Sequence, residues 1–278
     1  MTVPAFGLGT FRLKDQTVID SVRNALEVGY RAIDTAQIYG NEAEVGQAIA
    51  ESGVPRDQLF LTTKIWVDNY AADKLIPSLR DSLAKLRTDY VDLLLIHWPA
   101  PGNGVELREY MTALAEAKTL GLTRQIGVSN FNIELTRQAI EVVGAGEIAT
   151  NQIELHPVFQ QKELQVYDRE NNIVTQPWSP LGNGNANLLS NADLKAIAEK
   201  YGKTVAQVIL RWHLQEGFVV IPKSVTPSRI EENFNVFDFE LTEDEMNVVR
   251  SLDTGKRLFF DPKDPEWEQK MLNSVADI

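Results

Sequence analysis

The chain has 278 residues, 44% hydrophobic and 24% charged, an ordinary balance for a globular protein and one that excludes intrinsic disorder. Its formal net charge of −12 opposes binding to nucleic acid or anionic lipid, and no apolar run approaches the length of a membrane span. The absence of cysteine removes disulfides, thiolate catalysis and zinc–cysteine sites, the three histidines (His97, His156, His213) are too scattered for a metal centre, and Met1–Phe11 lacks a basic, apolar leader, so a cytoplasmic protein is expected.

In chain order, short β-like apolar runs alternate with amphipathic helical patterns. Ala5–Leu8 precedes a helix over Asp15–Val28, Tyr30–Ile33 precedes Glu42–Ser52, Leu59–Thr62 precedes Ala72–Leu86, and Val91–Ile96 precedes Val105–Leu120. The second half continues with Gln125–Val128 and Ile133–Val143, then Ala149–Ile153 and Gln161–Glu170. Ile173–Thr175 is followed by two helical patterns, Asn191–Lys200 and Val205–Gln215, and Phe218–Ile221 is the eighth run, followed by helices over Pro227–Phe234 and Glu243–Ser251. Eight such units with no linker between them predict a single-domain α/β fold, a (β/α)8 TIM barrel spanning residues 1–278. The competing doubly wound sheet would carry a glycine-rich turn after its first strand, but Gly7-Leu8-Gly9-Thr10 runs into Phe11-Arg12-Leu13-Lys14 and does not complete it.

A barrel places its chemistry at the C-terminal ends of its strands. Asp34 ends the second run, Lys64 the third and His97 the fourth, each separated by one strand–helix unit, so the three should be neighbours on one rim. Tyr39, in the loop after Asp34, can reach inward. A lysine ammonium beside a tyrosine favours the phenolate and lowers its pKa, and a carboxylate behind the lysine keeps it charged, which turns the tyrosine into a usable general acid. A neutral histidine can orient the oxygen that receives the proton. The set suits carbonyl reduction and needs neither nucleophile nor metal. Singly, these residues could equally be a helix cap, a snorkelling lysine and a core histidine; together, on consecutive strand ends, they point to chemistry. His156 and His213, without such context, read as structural.

A second constellation lies after the eighth run. In Ile221-Pro222-Lys223-Ser224-Val225-Thr226-Pro227-Ser228-Arg229, Thr226 is the expected N-cap and Pro227 the first helical residue. A helix N-terminus bracketed by Lys223 and Arg229 on an otherwise acidic chain is suited to a phosphate monoester, although a capped helix with two solvated cations reads the same way.

The segments Asp34-Thr35-Ala36-Gln37-Ile38-Tyr39-Gly40-Asn41-Glu42, Thr63-Lys64, His97-Trp98-Pro99, Gly127-Val128-Ser129-Asn130-Phe131, Asn151-Gln152-Ile153-Glu154 and Ile221-Pro222-Lys223-Ser224 resemble, in order, those of the aldo-keto reductase superfamily, especially its bacterial 2,5-diketo-D-gluconate and methylglyoxal reductases. The resemblance covers essentially the whole chain. It implies a monomeric NADPH-dependent reductase of small carbonyls, with Tyr39 as general acid, Lys64 and Asp34 as the pair that tunes it, and His97 orienting substrate. It also implies cofactor contacts from Thr10, Phe11, Ser129, Asn130, Gln152, Trp178, Ser179, Leu181 and Gly182, with Lys223, Ser224, Val225 and Arg229 around a 2′-phosphate and Glu232 and Asn233 at the adenine. Phe11, Trp66 and Trp98, with parts of the tail Leu258–Trp267, would wall the substrate pocket. Where many relatives begin with a hairpin under the barrel, this chain enters its first strand almost at once, and the stretch Ser179–Leu189 is short and rich in Asn and Gly, which implies a loosely held cofactor.

Overall fold

A computed structural model describes residues 3–259 together with 261, 262, 264, 266, 268 and 269. Among these residues seven parallel strands form one sheet in sequential order: β1 (Leu8–Gly9), β2 (Ala32–Asp34), β3 (Phe60–Ile65), β4 (Val91–Ile96), β5 (Thr123–Ser129), β6 (Ile148–Glu154) and β7 (Val174–Trp178). Each is followed by helix on the outside: α1 (Asp15–Val28), α2 (Glu42–Glu51), α3 (Ala72–Leu86), α4 (Leu107–Thr119), α5 (Ile133–Val143), α6 (Lys162–Glu170), a single turn α7 (Ala186–Leu189), then α8 (Ala192–Tyr201) and α9 (Val205–Gln215). Two last helices, α10 (Pro227–Phe234) and α11 (Glu243–Ser251), complete the shell.

The eighth run closes the sheet into a barrel, but not as the full strand that its composition predicts. Val219 N–H donates to Thr175 O (3.3 Å) on one side, and on the other Gly7 N–H donates to Val220 O (2.9 Å) and Val220 N–H to Ala5 O (3.0 Å). Among the described residues only the bridge between Phe6 and Val220 results, with one further bond from Gly9 N–H to Pro222 O (3.3 Å). Pro177 in β7 and Pro222 after the run have no N–H to donate, so the ladder cannot lengthen at this seam. The fold is the expected (β/α)8 barrel, with its closing strand reduced to a bridge.

Burial on both faces explains the apolar strands. Period-two alternation then sorts their side chains: Ala32, Phe60, Leu93 and Leu95 form a small cluster inside the barrel, while Leu94 and Ile96 join the large cluster beneath the helices. Gly127 makes room for the inner layer, since a Cβ there would lie 2.8 Å from a Leu95 methyl and 2.5 Å from Thr150 O. The same alternation aims the mouth, because Asp34, Lys64 and His97 stand two or four residues beyond Ala32, Phe60 and Leu95 and inherit their inward direction. Thus the apolar interior forms the floor on which the polar site rests.

Candidate active site

Lys64 is the centre of the mouth, and its side chain is fully buried. Its ammonium spends three donors on Asp34 Oδ1 (2.5 Å), Thr35 O (2.9 Å) and Tyr39 Oη (3.3 Å). Burial disfavours its charge, but Asp34 and then Tyr39 outweigh burial and hold its pKa above the ordinary lysine value, so it is an ammonium. The other Asp34 oxygen accepts from Gln152 Nε2 (2.8 Å), which also donates to Gln176 Oε1 (3.0 Å).

Tyr39 ends a turn of 3-10 helix, Gln37–Tyr39, that Gly40 terminates with a left-handed φ of 65°. Gln37 fastens this turn to the next strand end by accepting from Trp66 N–H (2.8 Å) and Asn69 Nδ2 (3.0 Å). Behind it, buried Asn41 donates to Thr10 O (2.9 Å) and Leu13 O (3.0 Å) and accepts from Thr35 Oγ1 (2.8 Å). These bonds lock the β2 loop against the β1 loop, bringing Phe11 against Tyr39 with ring centroids 5.2 Å apart. The expectation of a lowered tyrosine pKa is reversed here. Burial raises the Tyr39 hydroxyl above the ordinary phenol value; the Lys64 charge opposes it, and Asp34 adds to the rise. Lysine moderates a desolvated phenol rather than turning it into a strong acid.

His97 lies edge-on to Tyr39 (5.6 Å) and to Trp66 (5.3 Å). Its Nδ1 is buried without a hydrogen-bond partner among the described residues. Burial, and then the Lys64 charge, hold its pKa well below the ordinary value, so it is a neutral imidazole. Tyr70 fixes the turn beyond it by donating to Trp98 O (2.7 Å) and accepting from Trp98 N–H (3.1 Å). A groove of about 710 Å³ starts at Tyr39 and Trp66 and runs outward along α3 past Ser78, Asp81 and Lys85, and His97 does not line it.

Ser129, Asn130 and Gln152 come together as expected. Ser129 Oγ donates to Gln152 O (2.8 Å), Asn130 Nδ2 donates to His97 O (3.1 Å) and to Ser129 Oγ (3.1 Å), and Trp178 Nε1 donates to Asn130 Oδ1 (2.8 Å). Asn130 at φ 63° and Ser179 at φ 51° hold left-handed backbone on either side of Trp178. Trp178 faces Trp98 (6.5 Å) and Phe259 (5.2 Å), so the predicted aromatic wall includes the start of the tail. Of the tail Leu258–Trp267, residues Phe260, Lys263, Pro265 and Trp267 lie outside the described residues.

The basic segment is placed as predicted, with differences of detail. Pro227 is the first residue of α10, but Thr226 makes no side-chain capping bond; instead Ser224 Oγ accepts from Thr226 N–H (3.2 Å). Lys223, Val225 and Arg229 are exposed, and among the described residues neither cation forms an ion pair. Glu232 accepts from Thr204 Oγ1 (2.9 Å), and Asn233 is buried. Thr10 is also engaged within the protein, its hydroxyl donating to Asp34 O (3.0 Å). Leu181 and Gly182 lie in the loop after β7, where Gly182 has a φ of 58°. Sequence reasoning missed Gln37, Asn41 and Tyr70, and it missed the link from Gln152 to Asp34; only the position of Gln37 and Asn41 beside Tyr39 hinted at them.

Comparison with known proteins gives a consistent result. A profile of the Aldo/keto reductase family matches residues 5–254. Methylglyoxal reductase DkgB of Yersinia pestis is 54% identical over 269 residues, covering 96% of this chain and 100% of that protein. Among solved structures, one provisionally assigned as a 2,5-diketo-D-gluconic acid reductase B superposes with a TM-score of 0.89 at 44% identity, covering 95% of this chain and 94% of that one. An aldo-keto reductase of Bombyx mori in complex with NADP superposes with a TM-score of 0.86 at 35% identity, covering 93% and 92%.

Proposed function

The chain belongs to the aldo/keto reductase family and is an oxidoreductase acting on carbonyl groups, and from that premise we propose that it is an NADPH-dependent reductase of small aldehydes and ketones in which Tyr39 is the general acid. The observation that carries this reading is the buried ammonium of Lys64, bonded at once to Asp34 and to the Tyr39 hydroxyl, with His97 alongside. The residues fit a nicotinamide nucleotide: Trp178 offers a half-buried ring beside the amide of Asn130, with Ser129 and Gln152 next to it, and Lys223 and Arg229, exposed and without an ion pair among the described residues, flank the α10 entrance for a phosphate monoester. When bound, that nucleotide supplies hydride to the carbonyl carbon.

The chain's own residues deal with the oxygen. Neutral His97 can donate a hydrogen bond to the carbonyl oxygen and so fix its position against Tyr39. As that oxygen gains negative charge, the Tyr39 hydroxyl gives up its proton, and Lys64 stabilises the phenolate left behind. Asp34 keeps Lys64 charged and oriented throughout. Trp66 and Trp98 exclude water with apolar walls, an arrangement that accepts 2,5-diketo-D-gluconate, methylglyoxal and similar small carbonyls. A Schiff-base lyase is the weaker reading, since a lysine held charged by a carboxylate at 2.5 Å is a poor nucleophile.

The reading takes the enzyme as a cytoplasmic monomer, and light scattering tests the monomeric state. Its activity is tested by following NADPH oxidation with methylglyoxal, 2,5-diketo-D-gluconate and simple aldehydes. Turnover of at least one, absent in Tyr39→Phe, is expected. A Tyr39→Phe enzyme that keeps most of its turnover overturns the acid assignment.

A further inference from the structure

Glu154 is the last residue of β6, two positions beyond Gln152 on the same inward-facing row, and it is wholly buried. It has no part in the proton transfer or the cofactor contacts. Its Oε1 accepts from the backbone N–H of Leu258 (2.7 Å) and lies 3.1 Å from His156 Nε2, while its Oε2 pairs with Arg257 (3.1 Å). Arg257 in turn lies over the ring of Phe159 (4.6 Å). A second tie lies just upstream, where Thr254 donates through both N–H and hydroxyl to Val158 O (3.0 and 2.9 Å). The chain after α11 is therefore stapled twice to the end of β6 and the loop beyond it, and the second staple is a buried carboxylate satisfied by the tail itself.

Leu258 and Phe259, at and just beyond the staple, reach the mouth. A Leu258 methyl lies 3.2 Å from where a Cβ would stand on Gly182, and the Phe259 ring meets Trp178 edge-on at 5.2 Å. One short strap thus presses on the loop after β7 and on the aromatic wall of the mouth. Resting on the proposed binding of NADP(H), we propose that Glu154 is a positioning residue whose bonds to Arg257 and Leu258 hold the C-terminal strap closed over the nicotinamide side of the mouth, so that the Glu154–Arg257 latch sets the rate at which NADP(H) leaves. Glu154 touches neither substrate nor cofactor; it acts through the strap.

The test uses the full-length enzyme with Glu154→Gln, which keeps an acceptor for Leu258 but loses the charge that Arg257 needs, and Arg257→Met, altered on the solvent side and so less demanding of the fold. Two readouts are taken well below the unfolding temperature. In the first, chymotryptic cleavage after Leu258 and Phe259, followed by mass spectrometry, accelerates on the order of tenfold in both variants, because removing one member of a buried pair strands the other. In the second, NADPH dissociation measured by stopped-flow fluorescence accelerates on a similar scale, KM for NADPH rises, and kcat at saturating cofactor does not fall. Arg257→Lys, which retains one donor, recovers part of both effects. Unchanged cleavage overturns the latch; faster cleavage with unchanged NADPH release overturns its control of the cofactor. Failure of the wild-type enzyme to bind NADPH at all strikes the cofactor reading instead, and the cleavage arm still decides whether Glu154 holds the strap.

Discussion

The two ends of the barrel each bury a carboxylate against a cation, and they use it differently. At the mouth, Asp34 faces Lys64, a compact charge whose remaining donors reach Thr35 O and the Tyr39 hydroxyl. At the floor, Asp92, the second residue of β4, accepts from Leu61 N–H (3.0 Å) and pairs with Arg56 (2.8 Å). The rest of the Arg56 fork is spent on Thr88 Oγ1, Leu59 O and Tyr90 O, while Arg56 and Arg124 each lie 4.2 Å from the centroid of the Tyr90 ring. A planar guanidinium that never gives up its charge is suited to pinning backbone; an ammonium next to a phenol is suited to steadying a moving proton. The strand that carries Asp92 near its foot carries His97 just past its top, so one strand serves structure at one end and the proposed chemistry at the other.

The largest expected effect separates the two ends outright. Tyr39→Phe should lower kcat for carbonyl reduction by about 10²- to 10⁴-fold, the usual contribution of a general acid, with NADPH affinity by fluorescence titration unchanged. Next in size, Lys64→Met should lower kcat by about 10²-fold, the small end of the same range, and also cost about 3–5 kcal/mol in urea unfolding, because it strands Asp34 without a cation. Asp92→Asn should cost on the order of 2 kcal/mol, while the folded enzyme keeps its kcat/KM. If Asp92→Asn lost turnover as Lys64→Met does, the division of labour between mouth and floor would be wrong.

The pH profile sharpens the same contrast. Tyr39 is held above the ordinary phenol pKa and His97 well below the ordinary imidazole value, so the acid stays protonated and the imidazole neutral across the neutral range. Reduction should therefore be flat from about pH 6 to 9 and fall only when alkali removes the tyrosine proton. A break near neutrality in kcat/KM, unchanged in Tyr39→Phe, would assign the proton elsewhere. Smaller again is the effect at the rim: Arg229→Ala should raise KM for NADPH on the order of tenfold and leave that for NADH nearly unchanged, as loss of a charge-assisted contact to the 2′-phosphate requires.

Much of the mouth was legible because Asp34, Lys64 and His97 recur at the period of one strand–helix unit, and that period fixes their place on the rim. The loops that support them were not. Gln37, Asn41 and Tyr70 act through bonds to backbone groups distant in sequence, and no hydrophobic period records such a partner. Glu154 was visible only as part of a motif, since its partners in the tail, Arg257 and Leu258, lie more than a hundred residues away in a segment without regular structure. The direction of the Tyr39 shift was misread for a related reason: Lys64 could be placed from spacing, but the burial that outweighs it belongs to the packed mouth. The eighth run was recognised by composition and then shortened by prolines whose missing donors matter only once neighbours are known.

A third buried carboxylate, belonging to neither end, tests whether a cation is what keeps such a group charged. Asp168 lies at the end of α6 against β7, fully buried, with Oδ2 accepting from Thr175 Oγ1 (3.1 Å) and with no cation partnering it among the described residues. Burial drives its pKa up from 3.8 to about 7, with Thr175 and Asn151 opposing the rise. Oδ1 of Asp168 is buried without a hydrogen-bond partner among the described residues, and a proton on the carboxyl removes the charge that burial penalises. The folded pKa is raised, so the stability that this carboxyl contributes is complete below its unfolded value near 3.8 and is lost as pH rises through about 7. Asp168→Asn lacks that charge at every pH. Its advantage over the wild type in urea unfolding should grow between about pH 4 and 7 and level off on the order of 4 kcal/mol above that, with activity unaltered. An advantage independent of pH would mean that Asp168 keeps its charge in the folded wall, and that a cation is dispensable at the mouth and the floor as well.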